Sequence, residues 1–147
     1  MARAILGFAL IMGILTGAGA PAARSTHSAS SYFVTPSRNI LCLWSATVDA
    51  RPRTFLRCQI GTGLNPRPKR PPDCDTDWGF GLTLLNVGRA EVLCAGDTIW
   101  RRWKPVLTYG TTWRKRGFTC RSAFVGLTCR NTDGHGFFLS RERWRRL

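Results

Sequence analysis

Six cysteines, all downstream of an export-like leader, constrain this chain more than any other feature. They are Cys42, Cys58, Cys74, Cys94, Cys120 and Cys129. An even set in an exported chain reads as three disulfides. Structural zinc needs cysteines about two residues apart or Cys/His clusters, and no C-x-x-C pair is present. Spacing favours nearest neighbours. "FTC" and "LTC" are matching runs around a turn at Gly126, which places Cys120 opposite Cys129. Cys42 and Cys58 stand in two facing runs, which leaves Cys74 for Cys94.

The leader supports the oxidising compartment that this reading needs. Arg3 precedes the apolar run "AILGFALIMGILTGAG" at residues 4–19, and small residues follow at Ala18, Ala20, Ala22 and Ala23. Cleavage after Ala22 keeps Pro21 away from the position just past the cut. The run is shorter than a membrane span requires. The expected organisation is a signal peptide over 1–22, a disordered Ser/Ala-rich leader over 23–31, and a single domain over 32–147. No cysteine marks a lipid attachment point, and a monomer without a transmembrane anchor is expected after processing.

Charge bears on partners. The chain carries a net +14, and removing residues 1–22 takes away one arginine and no acid, leaving +13. A small domain with that charge attracts polyanions such as nucleic acid, anionic lipid and acidic cell-envelope polymers.

The mature part reads as all-β. "NILCLWSAT" and "TFLRCQI" are apolar, β-like runs. In the second, Leu56, Cys58 and Ile60 alternate with Phe55, Arg57 and Gln59, which predicts one buried and one wet face. Four prolines, Pro66, Pro68, Pro71 and Pro72, make residues 61–79 a long basic loop. Short runs bounded by Gly, Asp or Asn follow. A helix is admitted only at "SRERWRRL", where Ser140 can cap it. The expectation is a small disulfide-stapled sandwich or partly open barrel of about seven to eight short strands, with that short C-terminal helix.

"FVTPSRNILC", "CAGDTIW", "YG" and "GLTCRNTDGHGFFLSR" stand in this order. The pattern resembles a family of small secreted proteins of high-GC Gram-positive bacteria, classed as a domain of unknown function. Its blocks run F-x-T/S-P-S-G-N-I-x-C, C-x-G-D-T, Y-G and G-x-T-C-x-N-x-x-G-H-G-F-x-L-S-R. Arg38 stands where the family pattern has glycine. The resemblance implies export and a disulfide-linked domain, and it implies no chemistry.

Several residues carry candidate chemistry. His135 could act as a general base with Asp133 or Asp97 as its orienting acid, and Ser140 or Thr98 as nucleophile. Against this, "NTDGHG" is turn-rich, and Asp133–Gly134 is a type I′ signature. Flanking glycines also mark positive φ or close backbone approach. Asp73, Asp75 and Asp77 alternate like a calcium loop, but Trp78 stands where Gly is needed and Leu84 where Glu is needed. Those acids are expected to pair with neighbouring arginines. No metal or cofactor is expected. "WRRWKP" and "ERWRRL" interleave indoles with cations, a pattern suited to stacking and phosphate neutralisation. The expected binding set is Arg101, Arg102, Trp103, Lys104, Arg143, Trp144, Arg145 and Arg146. The favoured reading is a secreted, basic, non-catalytic binding module acting at or near the bacterial cell envelope. The alternatives are a small hydrolase built on His135 and a cationic antimicrobial or inhibitory protein.

Overall fold

The computed structural model describes residues 30–46, 53–100 and 104–147. The expected signal peptide and most of the expected leader lie outside the described residues. The fold is all-β, with two five-stranded antiparallel sheets. The first contains β1 (Ser30–Val34), β2 (Ile40–Ala46), β3 (Thr54–Ile60), β4 (Trp78–Leu85) and β5 (Glu91–Cys94) in sequence order. The second contains β6 (Thr112–Lys115), β7 (Phe118–Ala123), β8 (Gly126–Arg130), β9 (Gly136–Leu139) and β10 (Trp144–Arg146), also in sequence order. Each sheet is a plain meander, and together they make a sandwich.

Two expectations need correction. There are ten strands among the described residues, because short edge strands escape a pattern search. The C-terminal segment is strand β10 and not a helix, paired through Trp144↔Leu139 and Arg146↔Phe137. Ser140 closes the turn into it: its Oγ accepts from the Arg143 N–H and lies 3.1 Å from the Arg143 carbonyl. The hydroxyl therefore caps a β-turn of the kind that competes with helix.

Strand alternation builds the core. Ile40, Cys42 and Trp44 of β2 face Ile60, Cys58 and Leu56 of β3 in register. They meet Phe118, Cys120, Leu127, Cys129, Phe137 and Leu139 of the second sheet in one buried cluster. Cys42–Cys58 and Cys120–Cys129 each staple a hairpin within a sheet, and Cys74–Cys94 ties the proline loop to β5. Hairpin spacing had pointed to these same three bonds. Each closure contributes roughly 2–4 kcal/mol by restricting the unfolded chain.

The outer face of β3 is not wet. After β5 the chain crosses the outside of the first sheet as a strap. Asp97 accepts from Arg57, and Gln59 Oε1 accepts from the Ile99 N–H. Ile99 packs with Val34 and Leu41 in a second apolar cluster. The strap then meets the free edge of β1, where the Val34 N–H donates to Pro105 and the Leu107 N–H donates to Val34. Arg57 and Gln59 are consequently buried. From there the chain enters the second sheet.

Candidate functional site

His135 lies in the β8–β9 turn, and its neighbours there do structural work. The Asn131 N–H donates to the His135 carbonyl, and the Gly134 N–H donates to the Asn131 carbonyl. Gly134 adopts φ 85°, whereas Asp133 does not have positive φ. The turn is therefore not type I′, which needs positive φ at both central residues. Gly136 is required for space: a Cβ there would sit 1.9 Å from the Cys129 carbonyl oxygen. These two facts explain both glycines around His135.

The same turn clamps the other sheet. Asn131 is 7 % exposed and its Nδ2 donates to the carbonyls of Leu85 and Gly88, at 3.0 and 2.8 Å. Thr132 Oγ1 donates to the Asn86 carbonyl at 2.6 Å. Asp133 accepts from the Gly88 N–H at 2.8 Å, and that bond, aided by nearby His135, lowers its pKa. Four hydrogen bonds thus join the β8–β9 turn to the β4–β5 turn.

The other proposed catalytic partners are committed elsewhere. Asp97 lies on the strap outside the first sheet, where the Arg57 guanidinium lowers its pKa. Thr98 Oγ1 donates to Gln59. Ser140 is held in its own turn. Asp73, Asp75 and Asp77 form no ion pair among the described residues. Arg70 instead donates to the carbonyls of Cys74 and Thr76, and Arg67 donates to that of Trp78. A proline-rich loop exposes many carbonyls without a strand partner, and arginine forks satisfy them.

Strand geometry separates the expected Arg/Trp set. Successive residues of a strand point to opposite faces. Trp144 packs against the core, and its indole N–H donates to the Pro66 carbonyl at 2.9 Å. Arg146 Nε donates to the Ala90 carbonyl. Arg143 and Arg145 turn the other way and sit over the Phe138 ring, at 5.6 and 5.8 Å. Lys104 lies at the β1 edge, 3.5 Å from the Tyr32 ring centroid. Arg101, Arg102 and Trp103 lie outside the described residues.

A different arginine array stands on the second sheet. "TCR" occurs twice, at residues 119–121 and 128–130. Cys120 and Cys129 point inward as a disulfide, so Thr119, Arg121, Thr128 and Arg130 must point outward. Cross-strand pairing extends the pattern. One row reads Arg114, Thr119, Arg130, and the next reads Thr112, Arg121, Thr128, Phe138, Arg145. Arginine alternates with threonine across neighbouring strands, which avoids direct opposition of like charges. Arg114, Arg121, Arg130, Arg143 and Arg145 are all exposed, and strands β6 to β10 contain no carboxylate. The repeated "TCR" was the signal that could have located this face from sequence.

The chain belongs to a family of unknown function, DUF6636, whose model matches residues 10–147. No curated protein and no solved structure matches the chain.

Proposed function

We propose that this domain is a non-catalytic binding module that acts outside the cytoplasm and docks on anionic polymers of the cell envelope through the outer face of its second sheet. The observation that carries the reading is the exposed array of Arg114, Arg121, Arg130, Arg143 and Arg145 on a sheet whose strands contain no carboxylate. Three disulfides fit an extracellular setting. Arginines on alternate strands of one row stand about 10 Å apart, two strand spacings. That separation suits successive charges along a polymer better than one small anion. Arginine also offers bidentate geometry to phosphate, sulfate or carboxylate.

Binding of this kind draws mainly on counterion release, so it is strongly salt-dependent and weakly selective. The hydrolase reading has less support, since His135 belongs to a clamping turn and Asp97 to Arg57. The test is retention of the mature chain on an immobilised phosphate polymer against salt. The double change Arg121→Glu with Arg130→Glu should move elution to markedly lower salt. Unchanged elution would remove this face from the account.

A further inference from the structure

The tip of the β7–β8 hairpin breaks the usual chemistry of tight turns. Phe124 and Val125 occupy its two-residue loop and are 87 % and 70 % exposed. Gly, Asn and Asp are the residues such a loop favours. A local rule broken without a compensating structural gain points to function.

These side chains border a cleft of about 240 Å³ at the end of the sandwich opposite the Asn131 clamp. The β1–β2 turn, the β7–β8 turn, the β9–β10 turn and Tyr109 enclose it. Its floor is rigid. Thr35 Oγ1 lies 3.1 Å from Ser37 Oγ, Asn39 is joined to Thr62 by two hydrogen bonds, and Ser140 is tied to Arg143. Its rim is uncommitted. The Tyr109 hydroxyl, the Arg141 guanidinium and the Glu142 carboxylate have no hydrogen-bond or ion-pair partner among the described residues. Tyr109 and Phe124 meet edge to face at 5.7 Å and form an angled aromatic wall.

We propose that this cleft is a binding site for a neutral carbohydrate. A sugar ring has an apolar C–H face and a girdle of hydroxyls that both donate and accept. The aromatic wall matches the first. An unengaged phenol, guanidinium and carboxylate match the second, because together they supply donors and acceptors. Glu142 and Arg141 bring one charge of each sign to the mouth, which disfavours a polyanion there, in contrast to the arginine face. The exposed apolar area at the tip is small beside the roughly 800 Å² per partner that a stable protein interface buries. A protein partner is therefore the weaker fit.

The site goes beyond the polyanion reading and fails or stands independently of it. The experiment presents the mature chain to an array of immobilised neutral hexose and N-acetylhexosamine oligosaccharides, at about 0.15 M and about 1 M salt. At least one neutral glycan should be retained at both salts. Phe124→Ser and Tyr109→Ser should each weaken that retention by about 10-fold, the scale of a lost aromatic contact. Arg121→Glu should leave it unchanged, although it weakens polyanion binding. Phe124 is so exposed that its replacement keeps the fold, and an unchanged melting temperature verifies this. Retention that disappears at about 1 M salt, no retention at all, or retention indifferent to both substitutions would overturn the proposal. So would self-association of the mature chain that Phe124→Ser abolishes, because it would assign the tip to a second copy.

Discussion

Replacing Asn131 tests whether the β8–β9 turn joins the two sheets. Asn131→Ala removes two buried hydrogen bonds, to the Leu85 and Gly88 carbonyls. Each contributes about 1 kcal/mol net. The same truncation removes Asn131 Oδ1, a buried acceptor with no partner, which returns part of the loss. The expected destabilisation is therefore about 1–2 kcal/mol, or a melting temperature lower by about 4–8 °C for a domain of this size. Asn131→Asp should be worse at neutral pH, by about 3 kcal/mol, because a carboxylate cannot donate to two carbonyls. Its penalty should shrink in acid, where the protonated carboxyl can donate once. His135→Asn is the control. The His135 carbonyl accepts in the turn, and its ring acts there only electrostatically on exposed Asp133, so stability should change by less than about 0.5 kcal/mol. Urea denaturation with disulfides intact measures all three. A loss below about 0.5 kcal/mol for Asn131→Ala, or an Asp variant no worse than the Ala variant at pH 7, would refute the clamp.

Arg38 adopts φ 55° with an exposed side chain, so Arg38→Gly should stabilise by about 0.5–1 kcal/mol, the relief of left-handed strain less the entropy of glycine; chemical denaturation checks it, and destabilisation would contradict the turn geometry. Mild reduction followed by alkylation and peptide mapping should open Cys74–Cys94 first, because Cys94 is exposed while the other two bonds are fully buried. The Arg57–Asp97 pair predicts a pH effect. Asp97 has a lowered folded pKa, so its contribution is present above the ordinary Asp value near 4 and fades as pH falls through the lower one. The carboxylate is 73 % exposed, which keeps the effect below about 1 kcal/mol. Asp97→Asn should cost that much at pH 7 and flatten the loss of stability below pH 4.

The sheets and staples were legible because alternation and cysteine spacing are local signals. Cys42 and Cys58 face each other in paired strands, and the apolar period of two in the second of them was plain in the sequence. The strap was not legible. Arg57 and Gln59 look like wet-face residues until the segment around Asp97 and Ile99 folds across them, and that contact spans about forty residues of chain. The C-terminal Arg/Trp cluster is divided between two faces for a related reason. Adjacency in sequence suggested one surface, but β10 sends Trp144 inward and Arg145 outward. Arg38 takes a positive φ, a backbone conformation that glycine adopts without strain. Arg116 was not foreseen. It takes φ 37° beside Gly117 in the two-residue β6–β7 turn, a position where nothing but the hairpin itself demands left-handed backbone.

The most direct measurement is an NMR titration of isotopically labelled residues 23–147 with linear polyphosphate, following arginine side-chain and backbone signals. The account predicts shifts at Arg114, Arg121, Arg130, Arg143 and Arg145 that reverse as salt is added, while the strap and the first sheet stay silent. Shifts centred on the proline loop or on the Lys104–Tyr32 edge, with the second sheet unmoved, would contradict it.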